Sequence, residues 1–189
     1  MRIGLIGGTF DPPHIAHLIG ARRALEQLNL DCVIFVPNNI PPHKPPAEAG
    51  QIDRLEMVKL AIEGEKGFEV SDFEIKSGGI SYTFRTVEYF HSQVSEIYLL
   101  LGEDSLKSFH KWKNYERILQ LAHLAWFPRA GKEIHEVSPE ILSRAIKIDS
   151  EIIHISSTKI RELIKKGFSI KWLVPDKVIE YIYDKKLYF

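Results

Sequence analysis

Ile3-Gly4-Leu5-Ile6-Gly7-Gly8-Thr9-Phe10-Asp11-Pro12-Pro13-His14-Ile15-Ala16-His17 passes from an apolar run through a glycine pair to two histidines three residues apart. Ile3, Leu5 and Ile6 read as a buried strand, and Gly7-Gly8 as a tight turn whose missing Cβ atoms let the main chain approach a ligand. A helix opening next would offer unpaired amide N–H groups and a partial positive charge to an anion. His14 and His17 then share about one face of its first turn. Strand, glycine turn and helix N-terminus in this order point to a phosphate-holding unit. Taken singly, the glycines also read as a packing turn, and the histidines as structural residues or half of a metal site.

Further along, strand-like runs alternate with helical patterns. This predicts an α/β fold: a Rossmann-like, open, mainly parallel sheet with helices on both faces and additional C-terminal helices. Leu18, Ala21, Leu25 and Leu28 make a helical stripe within Ala16 to Leu28, and Cys32 to Val36 reads as a buried parallel strand. Asn38 to Gly50 carries four prolines and reads as a loop. Ile52, Leu55, Val58, Ala61 and Ile62 restore helical spacing, and Phe68 to Ile75 reads as extended up to the break at Gly78-Gly79. Tyr82 to His91 and Tyr115 to Leu121 read as helices, and Ile97 to Leu101 and Leu124 to Phe127 as strands. Ile152 to Ile155 reads as the last strand, before helices at Ser157 to Lys166 and from Pro175-Asp176 onward. With no repeat, biased tract or long linker, residues 1–189 are expected to form a single domain.

A chain of 189 residues suffices for one substantial core. Its 25 basic and 25 acidic side chains cancel, which gives no support for a broadly basic nucleic-acid-binding surface. Cys32 is the only cysteine, so no intrachain disulfide can form, as suits a reducing compartment. No apolar run approaches the roughly 20 residues of a bilayer span, and a signal-peptide pattern is lacking. A soluble cytoplasmic protein with no membrane partner is expected, its self-association left open.

A second phosphate element lies at Ile155-Ser156-Ser157-Thr158-Lys159-Ile160-Arg161. Ser156 or Ser157 can cap the helix, the nearby amides can face a phosphate, and Arg161 follows one turn later with a forked guanidinium. By itself the stretch also reads as an ordinary N-cap followed by a solvent-facing arginine. Because ligands of open parallel sheets gather at the carboxyl ends of the strands, the two elements can meet at one site.

Gly7 to His17 resembles the signature of the nucleotidyltransferase superfamily, which usually closes on His-x-Gly-His, with Ala16 here in place of the glycine. Ser156 to Arg161 resembles that superfamily's Ile-Ser-Ser-Thr-x-Ile-Arg motif. The intervening Ile40-Pro41-Pro42-His43-Lys44, Arg54-Leu55-Glu56-Met57, Ser81-Tyr82-Thr83 and Trp112 beyond Gly102-x-Asp104 are similar to bacterial nicotinate-nucleotide adenylyltransferases. So is the ending Leu173-Val174-Pro175-Asp176-Lys177-Val178, with Tyr181-Ile182 and Leu187-Tyr188. The resemblance implies an enzyme of NAD biosynthesis that moves AMP from ATP to nicotinate mononucleotide and releases pyrophosphate.

The same resemblance implies the roles of particular residues. His14, His17, Lys44 and Arg161 would carry catalysis by holding charge on the phosphates. Gly7, Gly8, Thr9, Phe10, Gly102, Asp104, Ile155, Ser156, Ser157 and Thr158 would bind ATP. Trp112 would stack on the pyridine ring, and the amides of Thr83 and Lys113 would receive its carboxylate. Arg85 stands where the family often has aspartate, and Lys113 where an aromatic is common. Mg²⁺ is expected to come with ATP, bound by phosphate oxygens and water, with no dedicated protein metal site. Asp11 reads as a helix cap, Asp104 as either a nucleotide contact or a cap, and Arg54 as support for the proline-rich loop. The rival readings are another adenylyltransferase, such as pantetheine-phosphate adenylyltransferase, and a noncatalytic nucleotide sensor on the same fold. An oxidoreductase would need G-x-G-x-x-G, which the first turn lacks.

Overall fold

The apolar run around Leu5 forms β1 (Arg2–Gly8) in a computed structural model that describes residues 1–42, 45–128 and 137–189. It leads into α1 (Ile15–Gln27), β2 (Cys32–Pro37), α2 (Gln51–Ile62), β3 (Phe68–Val70), α3 (Phe73–Ser77) and α4 (Thr83–His91). The chain continues through β4 (Glu96–Gly102), α5 (Glu103–Lys107), a 3₁₀ turn at Phe109–Lys111, α6 (Tyr115–Leu121) and β5 (His123–Phe127). It then forms α7 (Pro139–Arg144), β6 (Ala145–Lys147), α8 (Ser157–Lys165) and α9 (Asp176–Asp184).

The strands lie in the order β3-β2-β1-β4-β5-β6, every neighbouring pair parallel. A parallel sheet is covered on both faces, so its central strands are apolar throughout rather than alternating. β2 is accordingly buried at every position. On one face Val33, Phe35 and Leu100 meet α1, α2, α8 and α9 through Ala21, Val58, Ile160 and Val178. On the other, Ile3, Leu5, Ile34 and Leu99 meet α4 to α7 through Val87, Leu106, Ile118 and Ile141. From β1 the sheet grows one way to β2 and the other way to β4. Their carboxyl ends therefore flank the crevice where such sheets bind ligands.

Two expectations are corrected. Ile152 to Ile155 is not a strand; the edge of β5 is taken by β6, with Leu124 opposite Ala145. Ile152 is half exposed, and the segment is an irregular approach to α8. The extended reading of Phe68 to Ile75 holds only through Val70. At Phe73 the chain turns into α3, which brings Glu74 inward to accept a 2.5 Å hydrogen bond from the Thr86 hydroxyl.

Candidate active site

Gly7, next to last in β1, and Gly102, the last residue of the neighbouring β4, border the crevice, and a Cβ on either would meet open space. Gly8 differs: its Cβ would come within 2.9 Å of the Phe10 ring, so the turn closes only around glycine. Phe10, at φ 50°, is buried, with its ring 5.1 Å from that of His17 and 5.9 Å from that of Phe35. Its side chain backs the histidine from inside the core, which leaves only its main chain to face a ligand.

His14 is the N-cap of α1, in extended conformation, and its ring stacks on that of His17 with centroids 3.7 Å apart. The His14 amide donates to Nδ1 of His17 at 3.2 Å. In the neutral ring this acceptor role puts the proton of His17 on Nε2. The cap position belongs to His14 and not, as the sequence suggested, to Asp11.

Asp11 is a buried hub. Its carboxylate accepts from the amides of Glu48 (2.8 Å) and Ala49 (3.0 Å) and from the Tyr188 hydroxyl (2.7 Å). Burial and the Asp11 charge push the Tyr188 phenol well above its usual range. The Asp11 carbonyl accepts from Nη1 of Arg161 at 2.8 Å. Asp11 thus ties the β1–α1 turn to the proline-rich loop, α8 and the C-terminal segment.

α8 comes to the same turn. Ser157 donates from its hydroxyl to the Pro12 carbonyl at 2.8 Å, and the Ser156 hydroxyl caps the helix by accepting from the Lys159 amide at 3.3 Å. Ile155 precedes the cap, and Thr158 stands in the first helical turn. Arg161 Nε donates to Glu48 at 2.8 Å and Lys165 Nζ to the other oxygen of that carboxylate at 2.6 Å. Lys165 and then Arg161 hold the Glu48 carboxyl below the usual range.

Arg54 supports the loop as expected. Its buried guanidinium donates to the carbonyls of Thr9 (2.7 Å), Asn38 (2.7 Å) and Asn39 (3.2 Å), joining the turns after β1 and β2. Desolvation lowers its pKa, against the pull of Asp11. Thr9 also accepts at its hydroxyl from the Asn38 amide group at 3.2 Å. Lys44 and its neighbour His43 lie outside the described residues. Asp104 sits exposed inside the first turn of α5, whose N-cap is Gly102, so it does not cap that helix.

On the far side of β4, Thr83 opens α4, where first-turn amides have no intrahelical acceptor. Trp112, half-buried, follows the 3₁₀ turn with its ring 5.5 Å from that of Phe109. Lys113 Nζ lies 4.5 Å from the centroid of the Tyr82 ring, which brings the segments of Thr83 and Trp112 together. Among the described residues no three His, Cys, Asp or Glu side chains are grouped to hold a metal ion. Nor, among them, is any helix long and apolar enough to cross a membrane.

Asp11, Glu48 and Tyr188 were missed as site residues. The Leu187-Tyr188 pair gave a signal only through resemblance, and Glu48 none.

The family model described as cytidylyltransferase-like matches residues 5–163. A Caldicellulosiruptor saccharolyticus protein named a probable nicotinate-nucleotide adenylyltransferase is 43% identical over 194 residues, covering 100% of this chain and 99% of its own. A Clostridium botulinum protein of the same name is 43% identical over 199 residues, covering 97% of each. In fold, the chain is similar to Plasmodium falciparum nicotinic acid mononucleotide adenylyltransferase. The structure complexed with APC gives a TM-score of 0.76 at 19% identity, over 99% of this chain and 96% of that one. The structure complexed with NaAD gives 0.74 at 20%, over 99% and 97%.

Proposed function

The chain belongs to the nicotinate-nucleotide adenylyltransferases of the cytidylyltransferase-like family, and we infer that it transfers AMP from ATP to nicotinate mononucleotide, giving nicotinate adenine dinucleotide and pyrophosphate. A phosphate oxygen of the mononucleotide attacks the α-phosphorus of ATP, and the bond to pyrophosphate breaks. Both reactants are anions, so catalysis consists of alignment and preorganised positive charge, without a covalent enzyme intermediate.

The observation that carries the assignment of residues is the contact of the two phosphate elements, Ser157 hydroxyl to Pro12 carbonyl, across 145 positions of sequence. One anion can be held there from two sides. In this reading Gly7 to Phe10 offer main chain to the triphosphate, and Ile155 to Thr158 offer the N-terminus of α8. Gly102 and Asp104 border the nucleoside. His14 and His17 donate to the α-phosphate and leaving group as charge grows on them. Arg161, held by Glu48 and the Asp11 carbonyl, directs its remaining N–H groups at pyrophosphate, aided by Lys44. Thr83, Trp112 and Lys113 take the pyridine acid. Magnesium arrives as part of the MgATP substrate, held by phosphate oxygens and water. The Asp11 carboxylate, committed to two amides and a phenol, is not offered to it.

The test is pyrophosphate release with ATP and, in turn, nicotinate mononucleotide, nicotinamide mononucleotide and phosphopantetheine. The nicotinate compound should be used fastest. Preference for phosphopantetheine would overturn the substrate, and ATP binding without release in any mixture would overturn the enzyme.

A further inference from the structure

We propose that Arg85 and Lys113 set the preference of this site for a pyridine acid over its amide; the inference rests on the adenylyl-transfer reading above. Lys113 Nζ stands 4.5 Å from the centroid of the Tyr82 ring, and the Arg85 guanidinium carbon lies 5.8 Å from the same centroid and 5.9 Å from that of Phe84. Both side chains are exposed, and neither is paired with a carboxylate among the described residues. Two uncompensated cations therefore flank one aromatic ring beside Thr83 and Trp112.

Helix stability does not explain Arg85. It lies in the first turn of α4, which has no acidic residue, and a cation there opposes the helix dipole. The two positive terms instead add to one potential.

That potential separates the two substrates by charge where shape cannot. Carboxylate and carboxamide are nearly isosteric, and a main-chain N–H can donate to the oxygen of either. A pyridinium bearing a carboxylate has no net charge on its ring, whereas its amide is a cation. Arg85 and Lys113 attract the carboxylate of the first and repel the ring of the second, so discrimination includes a repulsive element. The 5′-phosphate is common to both and cancels.

The experiment compares kcat/KM for nicotinate and nicotinamide mononucleotide in wild type, Arg85→Gln, Lys113→Gln and the double variant. Both constants come from one preparation, so the folded fraction cancels in their ratio. The main-chain donors at Thr83 and Lys113 survive both substitutions. The acid-to-amide ratio should fall about threefold for each exposed charge and roughly tenfold for both. In wild type it should also fall as salt is raised from about 20 to about 500 mM, because exposed charges are screened. An unchanged ratio in the double variant, or a salt-independent wild-type ratio, overturns the inference while leaving the reaction intact. Wild type inert towards nicotinate mononucleotide overturns the reaction and the inference with it.

Discussion

The direction of one hydrogen bond decides what His17 can give. With Nδ1 accepting the His14 amide, the neutral ring has Nε2–H to present to a phosphate oxygen. His17→Ala should lower kcat by about 10²–10³-fold, the range for losing one oriented donor, with a smaller change in the KM for ATP. Unchanged turnover with both substrates saturating would remove His17 from the reacting set. Arg54 is buried, and its guanidinium is spent on main-chain carbonyls. Arg54→Met would leave the carbonyls of Thr9, Asn38 and Asn39 without their buried donor. We expect a loss of about 3 kcal/mol, read as a lower urea midpoint at constant m-value. The histidine pair was legible in sequence because its spacing is local. Asp11 was not, because its partners lie 37, 38 and 177 positions away, and Asp-Pro-Pro-His reads locally as a cap.

Elements show the same division between local and distant causes. β1, β2, β4 and β5 were legible because burial on both faces demands unbroken apolar runs. β6 escaped notice because a three-residue edge strand, with Ile146 41% exposed, leaves little pattern. α3 escaped because its reason is tertiary, the inward turn of Glu74 to Thr86 on α4. Burial raises the Glu74 carboxyl above its ordinary value of 4.5, outweighing the hydrogen bonds from Thr86 and Ser81. A carboxyl raised in the folded state binds its proton more tightly there than in the unfolded chain. Its stabilisation is complete below the unfolded value and is lost as pH rises through the folded one. Glu74→Gln keeps a carbonyl acceptor but has no proton to lose. Its melting temperature relative to wild type should therefore rise as pH is raised above 4.5. A difference that stays flat above that pH would show that Glu74 does not titrate there. Ser156→Ala removes the α8 cap and should cost about 1 kcal/mol by denaturant titration.

At the scale of the molecule, the β1–α1 turn is where distant parts of the chain are fastened together. Asp11 receives Tyr188 from the C-terminal segment, Arg161 from α8 and the amides of Glu48 and Ala49 from the proline-rich loop. The zero formal charge of the whole conceals this arrangement, because acids and bases are allotted to specific partners rather than spread evenly. A side chain without reach to the substrate should then influence both stability and ATP affinity. Tyr188→Phe keeps the buried ring and deletes one hydroxyl bonded to a carboxylate. Removing such a bond costs about 2 kcal/mol, which for a chain of this size lowers Tm by roughly 4–8 °C. Because the same Asp11 holds the backbone that positions Arg161 and Glu48, the KM for ATP should rise as well, with the KM for the mononucleotide changed less. Tyr183→Phe, on an exposed ring of α9, is the control and should stay within about 0.5 kcal/mol of wild type. If Tyr188→Phe melts with wild type and binds ATP as wild type does, the Tyr188 hydroxyl adds nothing to the Asp11 hub, which is then held by the Glu48 and Ala49 amides and by Arg161.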